Sequence, residues 1–359
     1  MANKALTDEL CRQTLEAIEI YGNTSAAAAG LKINRSTFEN RVRVAKERFA
    51  AAAPKDVELP TFPSDDIPIV EILDTMEKRF SKRAEAQAAK KWFTVKVKNS
   101  DPMGLCFIGD PHIDSNGCNI SLLRRDIELM NQPGMFCVNL GDTTDGDWPG
   151  RLMKLHAQSD QSITTARRLA DWFLNDTGLR WLAILIGNHD AWGEGAEILR
   201  RMNVQKIPMM DWSAHWKIKF SNERECKIIT AHDFPGHSMW NSLHANQRAA
   251  TTSTDAHIYA SGHKHNWAMH QEENAHREFV YWLVRARGYK YIDSYADKLG
   301  YASQQHGATI CAIIDPKASS EARFVTCFAD LEEASDYLKF KRQTSKRASE
   351  ILKNAKTCK

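Results

Sequence analysis

Five short apolar runs, each ending in a residue that can hold a metal ion, constrain this chain more than any other feature. They are LCFIG (105–109), MFCVNLG (135–141), WLAILIG (181–187), CKIITAH (226–232) and HIYASGH (257–263). Runs this short, bounded by glycine and polar turns, read as buried strands. Helical stretches, notably Ser121 to Asn131 and Ser162 to Asn175, separate several of them. Buried strands alternating with helices predict an α/β layered domain, in which ligands belong at the strand ends.

The endings are Asp110-Pro111-His112, Gly141-Asp142, Gly187-Asn188-His189-Asp190, Ala231-His232-Asp233 and Gly262-His263-Lys264-His265. A lone His or Asp after a strand is more often a cap or a surface residue, but five in succession are not explained that way. Carboxylate, imidazole and carboxamide together suit manganese, iron or zinc, and the absence of thiolate argues against a structural zinc site. Glycine precedes four of the five ligand positions, which allows sharp turns and close approach of backbone to the ions.

In these blocks the sequence resembles the calcineurin-like metallophosphoesterase superfamily, whose pattern runs DxH, GD, GNHD or GNHE, H, and GHxH. All five occur here in order, over about residues 103 to 315. The resemblance implies a four-layer sandwich of two mixed sheets flanked by helices, with the metals at the strand ends. It implies Asp110, His112 and His265 on one ion, Asn188, His232 and His263 on the other, and Asp142 bridging them. The two divalent ions, Mn²⁺ before Fe²⁺ or Zn²⁺, would share a water, lower its pKa and orient it for in-line attack on phosphorus. His189 is left outside the ligand set as the catalytic histidine, with Asp190 orienting its imidazole. Asp145 in GDTTDG reads as a support for the site and not as a ligand.

Substrate choice lives in surrounding loops, and three features lean toward nucleic acid. Residues 7 to 49 read as three helices arranged like a helix-turn-helix, with Phe38, Val42 and Ala45 inward and Leu31 and Ile33 filling the core. Arg35, Ser36, Thr37, Asn40, Arg41 and Lys46 would then be available to a DNA groove. The segment from Trp282 to Tyr301 interleaves Arg285, Arg287 and Lys290 with Tyr289, Tyr291 and Tyr295, as if to clamp phosphates and stack bases. Trp148 and Arg151 in GDWPGR, and His237 in the loop after His232, are further candidates for substrate contact.

The preferred reading is therefore a DNA-directed phosphodiesterase, and the architecture also resembles proteins encoded by bacteriophages. A phosphomonoesterase or protein phosphatase would use the same site, and a non-enzymatic DNA-binding adaptor is the reading from another class. The expected organisation is a helix-turn-helix domain (1–50), a proline-rich linker and connecting helix (51–100), the metallophosphoesterase domain (101–330) and a basic carboxy-terminal helix or tail (331–359). No apolar run approaches the ~20 residues of a membrane helix, and the polar amino terminus lacks a signal-peptide core, so a cytoplasmic protein without a membrane partner is expected. In a phage that means the host cytoplasm. The eight cysteines are scattered and contain no CxxC pair, which suits reduced thiols used for packing. A net charge of +3 favours no polyanion by itself. Helix-turn-helix modules often work as dimers, which leaves a homo-oligomer open.

Overall fold

A computed structural model describes residues 6–49, 66–146, 161–275, 278–292 and 308–357. Its contacts divide the chain into two compact units, Met1–Met76 and Glu77–Lys359.

In the first unit, α1 (Asp8–Tyr21), α2 (Thr24–Gly30) and α3 (Arg35–Arg48) pack around Ala17, Ala27, Ala28, Phe38 and Val42. Each helix starts on a side-chain cap: Thr7, Asn23 and Asn34 accept from the backbone N–H of Leu10, Ala26 and Ser36. Phe38, Val42 and Ala45 face inward as their spacing predicts, and Ile33 packs against this core. Leu31 does not, being 43% exposed, because it caps α2 at the point where the chain turns outward. A long helix, α4 (Ile69–Lys90), follows.

The second unit holds two six-stranded mixed sheets. One has the order β1-β6-β7-β8-β10-β9, built from Phe93–Lys96, Ser213–Lys219, Glu225–Ala231, Ile258–Ser261, Phe279–Arg285 and Ala268–Asn274. The other has the order β12-β11-β2-β3-β4-β5, from Val325–Phe328, Ile310–Ile314, Met103–Ile108, Met135–Asn139, Trp181–Ile186 and Met209–Asp211. All five apolar runs form strands: β2, β3 and β4 are mutually parallel in one sheet, and β7 and β8 in the other.

Alternation along the strands sets the layers. Leu105, Phe107, Val138 and Leu185 of one sheet meet Trp216, Ile218, Ile228 and Ile258 of the other in the central core. The opposite faces carry helices. α5 (Ile120–Met130), α6 (Ile163–Asp171), α8 (Gly195–Met202) and α10 (Leu331–Thr357) cover Cys106, Cys137, Ile184 and Ile313, and α9 (His244–Thr252) covers Ile229, Tyr259 and Leu283. The result is an α/β four-layer sandwich of two mixed sheets flanked by helices, as expected.

Two segments do more than the sequence conveyed. The stretch read as a linker ends in β1, which pairs in parallel with β6 through Phe93 and Trp216; four residues are too few to display a period. The basic carboxy-terminal stretch begins as a docked helix, with Leu331, Ala334 and Leu338 buried and Arg342 donating to the Pro102 carbonyl. No helix among the described residues is long and apolar enough to cross a membrane.

Candidate metal centre

The parallel pairing of β2 with β3, of β3 with β4, and of β7 with β8 sends their carboxyl ends to one end of the sandwich. The turns that follow are tied to one another by backbone. Asp110 N–H donates to Gly141 O, His112 N–H to Asp142 O, and Gly262 N–H to His232 O. Asp110, His112, Asp142, His263 and His265 all adopt left-handed backbone, with φ between 41° and 71°. Such conformations cost of order 1–3 kcal/mol for bulky residues and persist where surrounding structure over-determines them. Glycine opens the space: a Cβ on Gly187 would stand 2.2 Å from Asp142 Oδ1, and one on Gly262 2.5 Å from Asp110 Oδ2.

The seven expected ligand residues come together. One group of ligand atoms, all within 4.8 Å of one another, comes from Asp110, Asp142, His232 and His263, and a second from Asp110, His112 and His265. Asn188 joins the first, its Oδ1 2.9 Å from His232 Nε2, while Asp142 Oδ2 lies 3.3 Å from the same nitrogen. Ligands at 2.0–2.2 Å from one ion stand roughly 3 Å apart, so these spacings suit a coordination sphere. Asp110 Oδ1 and His112 Nε2 are fully buried and have no hydrogen-bond partner. Most buried polar atoms of folded proteins are paired. Oxygen and nitrogen donors with unused lone pairs, gathered around shared points, fit divalent cations, and the absence of sulfur suits manganese, iron or zinc alike.

The electrostatics follow from crowding these groups away from water. Burial pushes Asp110 up to about 7 against the pull of His232, and the neighbouring Asp142 adds to the rise. Burial would raise Asp142 as well, but His232 overrides it and holds the carboxyl below the ordinary range. His232 is carried the other way, to about 10, because the Asp142 carboxylate outweighs its own desolvation. Burial, then the charge of His232, drives His263 down to about 4. Burial and His112 lower His265 as well. Carboxylates held together with imidazoles, of which His263 and His265 are kept neutral, are an arrangement that a cation completes.

Support comes from a further set of contacts. His112 Nδ1 is 2.7 Å from Asp145 Oδ1, and Lys290 Nζ is 3.1 Å from that same oxygen. A carboxylate behind the imidazole fixes its orientation and leaves Nε2 toward the cluster. Asp114 Oδ1 in turn accepts from Asp145 N–H at 2.7 Å. His232 Nδ1 is 2.9 Å from the Leu140 carbonyl, which turns its Nε2 inward. Lys290, expected from sequence in a phosphate clamp, stands instead behind Asp145, and Asp114, an Asp two residues after His112, carries no distinguishing pattern in the sequence.

His189 stands beside this cluster. Its Nδ1 is 2.7 Å from the Asp145 carbonyl, its ring centroid 4.8 Å from that of His112, and Trp192 packs against it at 4.1 Å. Its ring nitrogen also falls within 4.8 Å of ligand atoms on His112 and Asp142. Burial and the nearby His112 lower its pKa to about 4.

Asp190 is a correction: it does not orient His189. Its carboxylate accepts from the backbone N–H groups of Asp142 (2.7 Å), Thr143 (2.9 Å) and Gly187 (3.1 Å), clamping two ligand turns together. Neighbours within the helical turn α7 (Asn188–Ala191) point in different directions, and the Asp145 carbonyl holds His189 instead.

The expected substrate clamp is also corrected. Tyr289 is fully buried, its hydroxyl bonded to Asp126 and Thr309, because the chain after β10 passes under Asp110 at Gly288 (φ 89°) and turns the ring into the helix-side core. Arg287 is 2% exposed with its guanidinium 3.6 Å from the Tyr291 ring centroid. His237 is exposed on the loop after His232 and belongs to none of the ligand groups. Trp148, Arg151 and Tyr295 lie outside the described residues. On α3, Arg35, Ser36, Thr37, Asn40 and Lys46 are exposed and Arg41 is partly so.

No protein-family model matches this chain, and no curated protein matches it. Among solved structures it is similar to an archaeal phosphodiesterase, at 15% identity over 63% of this chain and 99% of the other, with a TM-score of 0.33. It is also similar to the calcineurin-like phosphoesterase YfkN of Bacillus subtilis, at 12% identity over 70% of this chain and 99% of the other, with a TM-score of 0.33.

Proposed function

We propose that the chain is a phosphoester hydrolase dependent on two divalent metal ions, Mn²⁺ being the first to test. The observation that carries this reading is the pair of buried donor groups that share Asp110, with Asp142 in the first of them and also within reach of His112, and two ligand atoms that have no hydrogen-bond partner. Two cations held there would supply Lewis acidity toward a phosphoryl group and a nucleophile at neutral pH. Asp110, His112 and His265 would hold one ion, Asn188, His232 and His263 the other, and Asp142 both. His189, kept neutral by burial and anchored through Nδ1 beside the cluster, would hold a phosphoryl oxygen or pass a proton to the leaving group. Asp190 keeps the Asp142 and Asn188 turns in register.

Within this class we favour a phosphodiester of DNA, supported by the exposed polar face of α3 opposite its buried Phe38, Val42 and Ala45. A phage-type nuclease with a DNA-reading amino-terminal unit belongs to the same proposal. The burial of Tyr289 and Arg287 favours the second reading, a phosphomonoesterase, because it removes the stacking clamp expected beside the metals. Incubation with Mn²⁺ and, separately, p-nitrophenyl phosphate, bis-p-nitrophenyl phosphate, and single- and double-stranded DNA decides between them. Diester and DNA cleavage are expected; turnover of the monoester alone overturns the nuclease reading, and no turnover of any ester overturns the hydrolase.

A further inference from the structure

The loop that leaves the ligand position His232 stays at the metal end of the sandwich. Phe234 and Leu243 are buried and pin its two ends, and Asn266, next to the ligand position His265, donates from Nδ2 to Ser242 Oγ at 3.4 Å. The tip is fixed by its own hydrogen bonds. Ser238 Oγ accepts from the N–H groups of Trp240 and Asn241, both at 3.2 Å, and Asn241 Nδ2 donates to Gln247 Oε1 at 2.7 Å. On this tied tip Met239 and Trp240 are each 95% exposed, more than any other large apolar side chain among the described residues. An indole held out on a fixed backbone offers a flat apolar face to whatever reaches the metal centre.

What this face fits follows from its surroundings. Arg248 and His244 lie against the loop at Gly236, where a Cβ would stand 3.5 Å from Arg248 Cδ and 3.6 Å from His244 Cδ2. Both are exposed, as is His237, and from Phe234 to Thr254 the chain carries no carboxylate. A polyanion can therefore approach this rim. Two side chains are too few to hold a second copy, because a specific protein interface buries roughly 1,000 Å² or more. They suffice for a single base, which stacks on an aromatic side chain whatever its identity. We propose that Trp240, flanked by Met239, is a stacking platform for an unpaired base of a single-stranded DNA substrate, with Arg248 beside it to meet the phosphate backbone. The platform rests on the nuclease reading and narrows it to strands whose bases are free, since those of a duplex are already stacked on one another.

Fluorescence anisotropy of the full chain with a labelled single strand of thymidine nucleotides tests this, read as affinity before Mn²⁺ is added and so independently of turnover. Wild type is expected to bind the strand. Trp240→Ala should raise the dissociation constant roughly 10-fold or more, and Trp240→Phe should recover most of the loss. A strand of the same length without bases carries the same phosphates; it should bind wild type weakly, and Trp240→Ala should weaken it no further. Thermal melting should be the same in all three proteins, because the side chain stands in water. No binding of the thymidine strand by wild type, equal affinity in wild type and Trp240→Ala, or an equal loss with the baseless strand overturns the platform. Binding that depends on Trp240, with no cleavage of single- or double-stranded DNA once Mn²⁺ is added, leaves the platform standing and overturns the nuclease reading. Cleavage with no dependence on Trp240 does the reverse.

Discussion

Strand β8 has one histidine just before it and another just after it, and burial drives both His257 and His263 down to about 4. His257, at the amino end, is a finished piece of packing: its Nδ1 accepts from Lys227 N–H at 2.9 Å and its ring lies 4.9 Å from Phe279 and 5.0 Å from Phe324. His263, at the carboxyl end, takes left-handed backbone and faces His232 at 4.9 Å in a group with Asp110 and Asp142. Desolvation alone therefore does not distinguish a ligand from a core residue. What surrounds the imidazole does. At one end of the sandwich the hydrogen bonds close upon themselves, and at the other end lone pairs are left pointing at one another.

The strongest way to break this contrast is to remove the group at its centre. Asp142→Asn keeps the shape of the side chain but deletes the charge of the carboxylate proposed to hold both ions. Binding of Mn²⁺ followed by calorimetry should lose its two-ion stoichiometry. Diester hydrolysis should fall on the order of 10³-fold or more, since a metal contributes several kcal/mol to the transition state. Two ions bound as tightly as in wild type would show that Asp142 is not shared. His189→Ala is the sharper probe, because His189 touches the cluster without being assigned to it. Turnover should fall roughly 10²- to 10³-fold with both ions retained, in the range of general acid–base catalysis. Loss of an ion would instead enrol His189 as a ligand beside His112 and Asp142, an arrangement their distances permit.

The carboxyl end was the more legible of the two in the sequence, for a physical reason. Residue types able to ligate a metal are few, so the candidate ligands Asp110, His112, Asp142, Asn188, His232, His263 and His265 announce themselves, in order along the chain, before any contact is known. The strands under them are legible for a similar reason, being mostly apolar and, in β2 and β8, buried along their whole length. Roles that depend on direction were hidden. Asp190 follows His189 in the chain yet points at Asp142 N–H, and spacing does not reveal which way a side chain in a tight turn will face. Tyr289 sits among Arg and Lys in a pattern that suits an exposed clamp, whereas a backbone crossing at Gly288 decides that it is core. Lys290 and Asp114 matter only because the fold sets them behind Asp145.

The smallest expected effect belongs to the amino end of β8 and tests the contrast from the packing side. An ordinary histidine titrates near 6.5, and folded His257 near 4, so between those values the unfolded chain takes up a proton that the folded one refuses. Stability contributed by neutral His257 is therefore complete above about pH 6.5 and is lost as pH falls toward 4, by of order 2–3 kcal/mol. Protonation would also turn Nδ1 from acceptor to donor against Lys227 N–H. His257→Asn offers an amide oxygen to that N–H and carries no titrating proton. Urea midpoints compared at pH 7 and pH 4.5 should then fall less for the variant than for wild type, with Mn²⁺ affinity at pH 7 the same in both. An equal acid loss in the two proteins would mean that His257 is not held neutral by its burial. A change in metal affinity would mean that the two ends of the strand are coupled, and that what looks like packing at His257 also sets the position of His263.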